Sequence, residues 1–275
     1  MRLDLERIRR AGEVIDPVFR DSPQYVCGPL GSSLGCSVTL KVETLNPVRS
    51  FKGRGSETVM AWLAGDQPGR AAVCASAGNL GLALAYSGAA RGVPVTVVAA
   101  ERANPLKIDG IRALGATVTL EGDDIEDARR TAVEIAGLEG HYLVEDSLDL
   151  LTCDGAGTIG LELFEGRDEV DAVLIALGGG AMASGIGCVA KALAPHVEVL
   201  AVQPEGAPAM ALSWRSGEVV NSETIDTIAD GVAGRFPIPE VLGDLLAVVD
   251  DVVLVSEESI KAGMRLLHEH AGLIA

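Results

Sequence analysis

The sequence predicts an α/β protein built from open, mostly parallel, twisted sheets flanked by helices. Short runs rich in β-branched residues alternate along the 275 residues with longer segments whose apolar residues recur every three or four positions. Glycine is frequent, with 33 residues, which suits many tight turns between strands and helices. Hydrophobic residues make up 48% of the chain and aromatic residues only 3%, so a mostly aliphatic core is expected.

The predicted strands are short and apolar, and the predicted helices are amphipathic. The strands are expected at residues 37–42, 71–75, 95–99, 117–120, 172–176, 197–202 and 252–255. The helices are expected at residues 53–63, 80–91, 106–114, 125–136, 155–164, 183–193 and 257–270. In parallel α/β sheets, ligands bind beyond the carboxyl ends of the strands, so the loops that follow the strands are the candidate sites.

Charge and composition narrow the classes of function. The chain has 22 Lys and Arg against 39 Asp and Glu, a formal net charge of −17. Such a surface repels nucleic-acid phosphates and anionic membranes, so neither is expected as a partner. The five scattered cysteines and a charged N-terminal segment predict a cytoplasmic protein with reduced thiols. Residues 172–190 carry no charge, but their five glycines favour a strand, a loop and a helix over a membrane span.

The first candidate site is the segment around Lys52, which follows the strand predicted at residues 37–42. The pair Asn46-Pro47 signals a turn, and Ser50 is a plausible N-cap, which places Lys52 in the first turn of the next helix. The helix dipole disfavours a cation there, which suits a lysine used as a neutral amine that forms a Schiff base and moves protons. From this segment alone, a solvated surface lysine remains the better interpretation.

The second candidate is the turn at residues 76–79, between a predicted strand and a predicted helix. Its backbone N–H groups form a nest that suits a carboxylate, and Asn79 suits a phenolate-like oxygen. The alternative is a simple turn in which Ser76 and Asn79 cap the helix. Judged alone, the turn favours this alternative.

The third candidate is the glycine-rich loop at residues 178–182. Glycines let the backbone approach a phosphate closely, and the following helix supplies positive potential at its N-terminus. The loop lacks the Lys-Ser/Thr of a Walker motif and the acidic partner of a dinucleotide site, so a single phosphate is the prediction. A purely structural turn is a comparable alternative.

Together these segments resemble one known family. Residues 50–55 (SFKGRG) are similar to the SFKxRG motif of the fold-type II serine/threonine dehydratases, members of the tryptophan synthase beta superfamily of pyridoxal-phosphate (PLP) enzymes. Residues 76–79 (SAGN) resemble their S-x-G-N loop, and residues 178–181 (GGGA) resemble their GGGG phosphate loop. The resemblance keeps the family order over nearly the whole chain.

The resemblance implies PLP as the cofactor and roles for residues in all three segments. Lys52 would form the Schiff base with PLP and move the proton at the substrate Cα. Phe51 would lie beside the cofactor ring, and Asn79 would bond the 3-hydroxyl of the pyridine. The substrate carboxylate would be held by Ser76, Ala77 and Gly78, and the phosphate by Gly178, Gly179, Gly180, Ala181 and Met182.

The implied activity is that of an ammonia-lyase (dehydratase), which removes the β-hydroxyl of L-threonine or L-serine and gives a 2-oxo acid and ammonia. A small amino-acid substrate and a homodimer are expected. Ala77 stands where racemases of the family carry a second serine, which disfavours racemisation. Gln203 and Ala209 stand where metal-dependent members carry acidic residues, so no metal is expected. The single methyl of Ala181 in the phosphate loop is tolerable where the backbone has negative φ.

The family fold implies two lobes, a large PLP-binding domain (residues 1–70 and 146–275) and a small mobile domain (residues 71–145). Relatives continue past the position of Ala275 with the Ser, Thr or Cys that faces the pyridine nitrogen, so a truncated large domain is expected. Two alternatives stay open: a synthase that performs β- or γ-replacement, and a catalytically impaired PLP-binding homologue. The SFKxRG motif favours the lyase, since such synthases more often show an SxKDR-type loop.

Overall fold

A computed structural model of the protein describes residues 1–165 and 170–274. The helices are α1 (Leu5–Val14), α2 (Gly28–Leu34), α3 (Lys52–Asp66), α4 (Asn79–Arg91), α5 (Pro105–Ala113), α6 (Ile125–Glu139), α7 (Leu150–Phe164), α8 (Ala181–Leu193), α9 (Ala209–Ser216), α10 (Pro239–Val248) and α11 (Glu257–Ala271). The strands are β1 (Gln24–Val26), β2 (Thr39–Lys41), β3 (Ala72–Ala75), β4 (Val95–Ala99), β5 (Thr117–Leu120), β6 (Tyr142–Leu143), β7 (Ala172–Ala176), β8 (Glu198–Pro204) and β9 (Asp251–Val255).

Two parallel sheets carry the fold. The first has the strand order β5-β4-β3-β6 and the second has the order β7-β8-β9, with parallel pairing throughout both. A short antiparallel ribbon of β1 and β2 stands apart from them. The predicted class, open parallel sheets flanked by helices, is confirmed. The first sheet lies within residues 72–143 and the second within residues 172–255, while the division into a large and a small mobile domain stays a prediction.

Every predicted strand and helix is present, with ends displaced by a few residues. The uncharged stretch of residues 172–190 forms β7, the glycine loop and most of α8, as predicted. Among the residues that the structure describes, none of the helices has both the length and the apolar character needed to cross a bilayer. The elements that the sequence patterns missed are α1, α2, α9, α10, β1 and β6. Of these, α1 is half charged (LERIRRAGEV) and β6 has only two residues, so both are weak apolar signals.

Helix α7 packs backbone to backbone against α3 on one side and α8 on the other. A Cβ atom at Gly155 of α7 would lie 2.6 Å from the carbonyl oxygen of Arg54 in α3. A Cβ atom at Gly185 of α8 would lie 2.6 Å from the carbonyl oxygen of Cys153 in α7. Because protein interiors are close-packed and transmit displacement, these two contacts fix the position of Lys52, which begins α3, relative to Ala181, which begins α8.

A buried ion network braces the segment that leads to Lys52. The side chain of Arg54 is 0% exposed; its Nε donates to Glu43 at 2.9 Å and its Nη1 donates to Glu162 at 2.6 Å. Lys41 also pairs with Glu162, at 2.5 Å. Burial by itself would raise the pKa of the Glu162 carboxyl, but hydrogen bonds from Arg54 and Lys41 outweigh burial and the pKa is lowered. The network thereby ties the loop after β2 to α3 and α7.

Asp154 in α7 gives the fold a pH-dependent contribution. Its side chain is 3% exposed, Arg7 donates to its Oδ2 at 2.5 Å, and its Oδ1 is buried without a hydrogen-bond partner. Burial raises the pKa of Asp154 to about 6, and Arg7 offsets that effect only in part. The folded-state pKa therefore lies above that of the unfolded chain, about 3.9. The stabilising contribution of the Asp154 carboxyl is therefore complete below the unfolded-state pKa of about 3.9 and is lost as the pH rises through about 6.

We therefore expect the stability of Asp154→Asn, relative to the native chain, to rise with pH. The carboxyl of Asp154 loses its stabilising contribution as the pH rises, whereas the neutral amide of the variant does not titrate. The unfolding free energy of the variant minus that of the native chain should therefore increase by about 1–2 kcal/mol between pH 5 and pH 7.5. Urea unfolding at the two pH values measures it, with Asp109→Asn as the control because Asp109 is 71% exposed. A difference that is the same at both pH values would contradict the assignment.

Candidate active site

The candidate site lies where three loops leave the carboxyl ends of parallel strands beside the start of α3. The loop after β3 leads into α4, the loop after β6 leads into α7, and the loop after β7 leads into α8. Since β3 and β6 are neighbouring parallel strands, their following loops leave the same edge of the first sheet. This is the position at which open α/β sheets bind ligands.

Lys52 is the first residue of α3, as predicted for the first helical turn. The prediction of Ser50 as the N-cap is wrong. Phe51 holds that position without a side-chain cap bond, and the buried Ser50 hydroxyl has no hydrogen-bond partner. Instead, Asn46 shapes the turn, since its side chain donates to the carbonyl oxygens of Glu43 and Ser50 at 2.8 Å and 3.1 Å. The Nζ atom of Lys52 lies 4.5 Å from the centroid of the Phe51 ring.

Asp146 meets the amine of Lys52 and was not anticipated from the sequence. Nζ of Lys52 donates to Oδ2 of Asp146, with the two side chains 17% and 30% exposed. The other carboxylate oxygen, Oδ1, is buried and has no hydrogen-bond partner in the structure. Asp146 lies three residues beyond β6, so the strand-end rule would have found it had the two-residue strand been recognised.

Ser147 joins the same loop to the glycine loop. Its backbone is left-handed, with φ 64°, and its hydroxyl accepts the N–H of Ala181 at 3.1 Å. A Cβ atom at Gly179 would lie 2.6 Å from that hydroxyl, and Gly180 has φ 108°. The close approach and the positive φ both require glycine here. Ala181 begins α8 with negative φ, so its methyl group is tolerated as predicted.

Arg2 holds the loop that carries Asp146 and Ser147. Its guanidinium donates to the carbonyl oxygens of Leu148 and Ser147 at 2.8 Å and 3.2 Å. The same guanidinium pairs with Asp244 of α10 at 2.7 Å, and Asp244 is only 1% exposed. The backbone of this loop is thereby held by a residue far away in sequence, a contact that no local pattern reveals.

The turn at residues 76–79 lies between β3 and α4. The Ser76 hydroxyl accepts the N–H of Gly78 at 3.2 Å, and Gly78 is the N-cap of α4 without a side-chain cap bond. The capping roles of Ser76 and Asn79 are therefore wrong, and the binding of a substrate carboxylate at this turn stays a prediction. Ala77 is half-buried in the turn, and Asn79 is exposed at the first position of α4.

A comparison with protein families decides the assignment: the family model described as pyridoxal-phosphate dependent enzyme matches residues 15–275. The chain belongs to this family. The resemblance inferred from the three motifs is confirmed, and so is the prediction that the protein is an enzyme with PLP as its cofactor.

Similar proteins and structures agree with the family. The L-threonine ammonia-lyase of Thermotoga maritima is 34% identical over 273 residues, which cover 99% of this chain and 68% of that protein. A putative threonine dehydratase of Sinorhizobium fredii is 34% identical over 271 residues, covering 98% and 81% of the two chains. The structure of maize serine racemase superposes with a TM-score of 0.94 at 27% identity, covering 99% and 83%. Threonine deaminase isoform 2 of Solanum lycopersicum, in its processed form, gives a TM-score of 0.90 at 29% identity, covering 99% and 81%. The fold-type II prediction is confirmed.

The described residues fit PLP, which carries one phosphate, one aldehyde and an aromatic ring. Helix α8 begins directly after a glycine loop in which added Cβ atoms at Gly179 and Gly180 would clash with neighbouring side chains. These positions therefore carry no side chain, which lets an anion approach the backbone at the N-terminus of the helix. Lys52 places a primary amine beside the Phe51 ring in the same site. Among residues 1–165 and 170–274, no group of three or more His, Cys, Asp or Glu side chains lies close enough to hold a metal ion.

We expect Gly180→Ala to lower the unfolding free energy by about 1–3 kcal/mol and to weaken PLP binding. The residue has φ 108°, and the added Cβ would lie 2.6 Å from Cγ1 of Val241. Urea unfolding and PLP titration by fluorescence measure the two effects. Gly243→Ala in the neighbouring α10 is the control, because its Cβ would meet nothing within 4 Å. Equal effects of the two substitutions would contradict the role of Gly180.

Proposed function

We propose that the protein is a PLP-dependent ammonia-lyase that eliminates the β-hydroxyl of L-threonine or L-serine to give a 2-oxo acid and ammonia. The observation that carries the proposal is the amine of Lys52 at the start of α3, paired with Asp146 in the loop that Ser147 joins to the start of α8. The named threonine ammonia-lyase and threonine dehydratase relatives support this reaction. PLP, when bound, would delocalise the electron pair that remains on the substrate Cα after its proton is removed.

Each residue of the site has a proposed task. Lys52 supplies the amine that bonds to the cofactor and, once released by the substrate amine, removes the Cα proton. Phe51 packs against the cofactor ring, and Asn79 donates a hydrogen bond to the 3-hydroxyl. Backbone N–H groups hold the two anions, the substrate carboxylate at Ser76, Ala77 and Gly78, and the phosphate at Gly178, Gly179, Gly180, Ala181 and Met182. The Ala181 N–H donates to the Ser147 hydroxyl. We therefore propose that the phosphate meets Ala181 through the Ser147 hydroxyl, which has its own hydrogen to donate.

Racemisation of serine is the second candidate, because maize serine racemase superposes closely and serine racemases of Oryza sativa are 29% identical. A racemase needs a proton donor on the face of Cα opposite Lys52. Ala77 stands where the family's racemases carry a serine and has a methyl group instead. We therefore propose elimination rather than racemisation.

The surroundings of the enzyme are also proposed. Free thiols at all five cysteines support a reducing compartment, the cytoplasm. A homodimer remains the expected assembly, and light scattering on the purified chain tests it.

Incubation with L-threonine and L-serine tests the reaction. We expect 2-oxobutanoate from threonine and pyruvate from serine, each with one ammonia, and no D-serine by chiral chromatography. Failure to form a keto acid from both substrates would contradict the lyase. Cysteine formed from an activated serine and sulfide would favour the replacement synthase, and D-serine would favour the racemase.

A further inference from the structure

We propose that Asp146 is the proton acceptor of Lys52: its carboxylate takes the proton that Lys52 must lose before its nitrogen can bond to the PLP aldehyde. The inference rests on the proposed role of Lys52 as the amine that bonds to PLP. It assigns a second reacting side chain to the site, from the loop after β6.

The geometry of the pair carries the proposal. Oδ2 of Asp146 accepts directly from Nζ of Lys52, so a proton crosses between them without rearrangement. Oδ1 is buried and has no hydrogen-bond partner, so the carboxylate has unused capacity to accept. Arg2 fixes the backbone on the far side of Asp146 through Ser147 and Leu148. Such a braced pair is pre-organised for transfer.

Neighbouring titratable groups do not compete for this proton. Burial, with a smaller effect of the Asp146 charge, raises the pKa of Cys74 on β3 and of Cys153 on α7 to about 12 in each case, so both remain thiols near neutral pH. The Asp149 side chain accepts from Tyr142 and from the Leu151 N–H, each at 2.9 Å.

Glu145 is the neighbour of Asp146 in the same loop. Its carboxylate accepts from Nε of Arg129 in α6 at 2.7 Å, so it is engaged away from Lys52. Among the described residues, Asp146 is the carboxylate within hydrogen-bond reach of Nζ. Of these two adjacent acidic residues, Asp146 therefore faces the site and Glu145 faces α6.

The proton balance closes without an outside reagent. An N–H bond of the Lys52 ammonium breaks and an O–H bond forms on Asp146, which frees the nitrogen lone pair to bond to the aldehyde carbon. The former aldehyde oxygen takes one proton from the nitrogen and one back from Asp146, and it leaves as water. The nitrogen keeps its last proton, and Asp146 is again a carboxylate.

The expected effect on the rate at which Lys52 bonds to PLP distinguishes a proton acceptor from a simple counter-ion at Asp146. An ion pair as exposed as this one stabilises the ammonium by a factor of about two to five, which would slow the bonding of Lys52 to PLP by the same factor. General acid–base transfer accelerates a step by about 10²–10⁴-fold. The gain exceeds the loss, so removal of the carboxylate should slow the step.

The test is the rate at which the full chain, freed of cofactor, bonds to added PLP, followed by the visible absorbance of the product from pH 6 to pH 9. We expect Asp146→Asn to slow this rate at least about tenfold at pH 7, with a gap that narrows toward pH 9 as hydroxide replaces the missing acceptor. Asp146→Glu, which keeps a carboxylate, should recover part of the rate. Glu145→Gln, which removes a carboxylate from the same loop, should bond to PLP at the same rate as the native chain.

Loading of Asp146→Asn at the native rate or faster would overturn the proposal, because a counter-ion alone gives that result. Asp146→Ala repeats the comparison, and circular dichroism confirms the fold of each variant. Loading and turnover are measured separately. A native chain that loads PLP on Lys52 but yields no keto acid contradicts the proposed reaction, while the loading rates still decide the role of Asp146.

Discussion

Lys52→Ala is expected to lower kcat/KM for the deamination of L-threonine by on the order of 10³-fold or more. The substitution removes both the amine that bonds to the cofactor and the base that takes the Cα proton. The fold should be retained, because the lost ion pair with Asp146 is partly exposed and such pairs contribute about 1 kcal/mol or less. Keto-acid release and urea unfolding measure the two quantities on the same preparation.

The control for this variant is Lys191→Ala. Lys191 also pairs with an aspartate, Asp250, at 2.6 Å, but it lies in the last turn of α8, at the opposite end from the glycine loop. Its removal should leave turnover unchanged. If Lys52→Ala retains a tenth or more of the native kcat/KM, the role of Lys52 is wrong.

Arg54→Met is expected to lower the unfolding free energy by about 3–5 kcal/mol, the typical cost of leaving buried charges without their partner. Glu43 and Glu162, 12% and 13% exposed, would face each other without the guanidinium between them. Urea unfolding measures the loss. Arg54→Lys keeps the charge but not the several hydrogen bonds of the guanidinium, so an intermediate loss is expected.

The double variant Arg54→Met with Glu162→Gln separates charge from packing. It removes one of the two uncompensated carboxylates, so it should be more stable than Arg54→Met alone. Since Arg54 follows Lys52 by two residues in α3, Arg54→Met should also weaken PLP binding. A loss below about 1 kcal/mol in the single variant would show that the network is not structurally important.

The sequence predicted those parts of the fold whose signals are local. Each strand of the two parallel sheets except β6 was recognisable from a short apolar run, and α3, α4 and α8 each followed a turn motif. Strand β6 pairs over two residues, too few for a periodic signal, so the loop that it delivers was missed. Asp146 and Ser147 were missed with it.

The contacts that complete the site depend on residues far apart in sequence. Arg2 reaches Ser147 and Asp244 across the fold, and the left-handed backbone of Ser147 has no marker in its residue type. The N-cap assignment of Ser50 failed because Asn46, one turn earlier, organises the backbone of the loop through its own side chain. Helix-capping propensity favoured the serine, and the local hydrogen bonds from the Asn46 side chain to the backbone decided otherwise.

The most direct test of the central claim is borohydride reduction of the PLP-loaded chain followed by peptide mapping. Reduction makes the bond between the cofactor carbon and the lysine nitrogen permanent, so the modified residue is identified by mass. The account predicts one pyridoxyl group per chain, on the peptide that contains Lys52. A pyridoxyl group on any other lysine, or no modification at all, would contradict it.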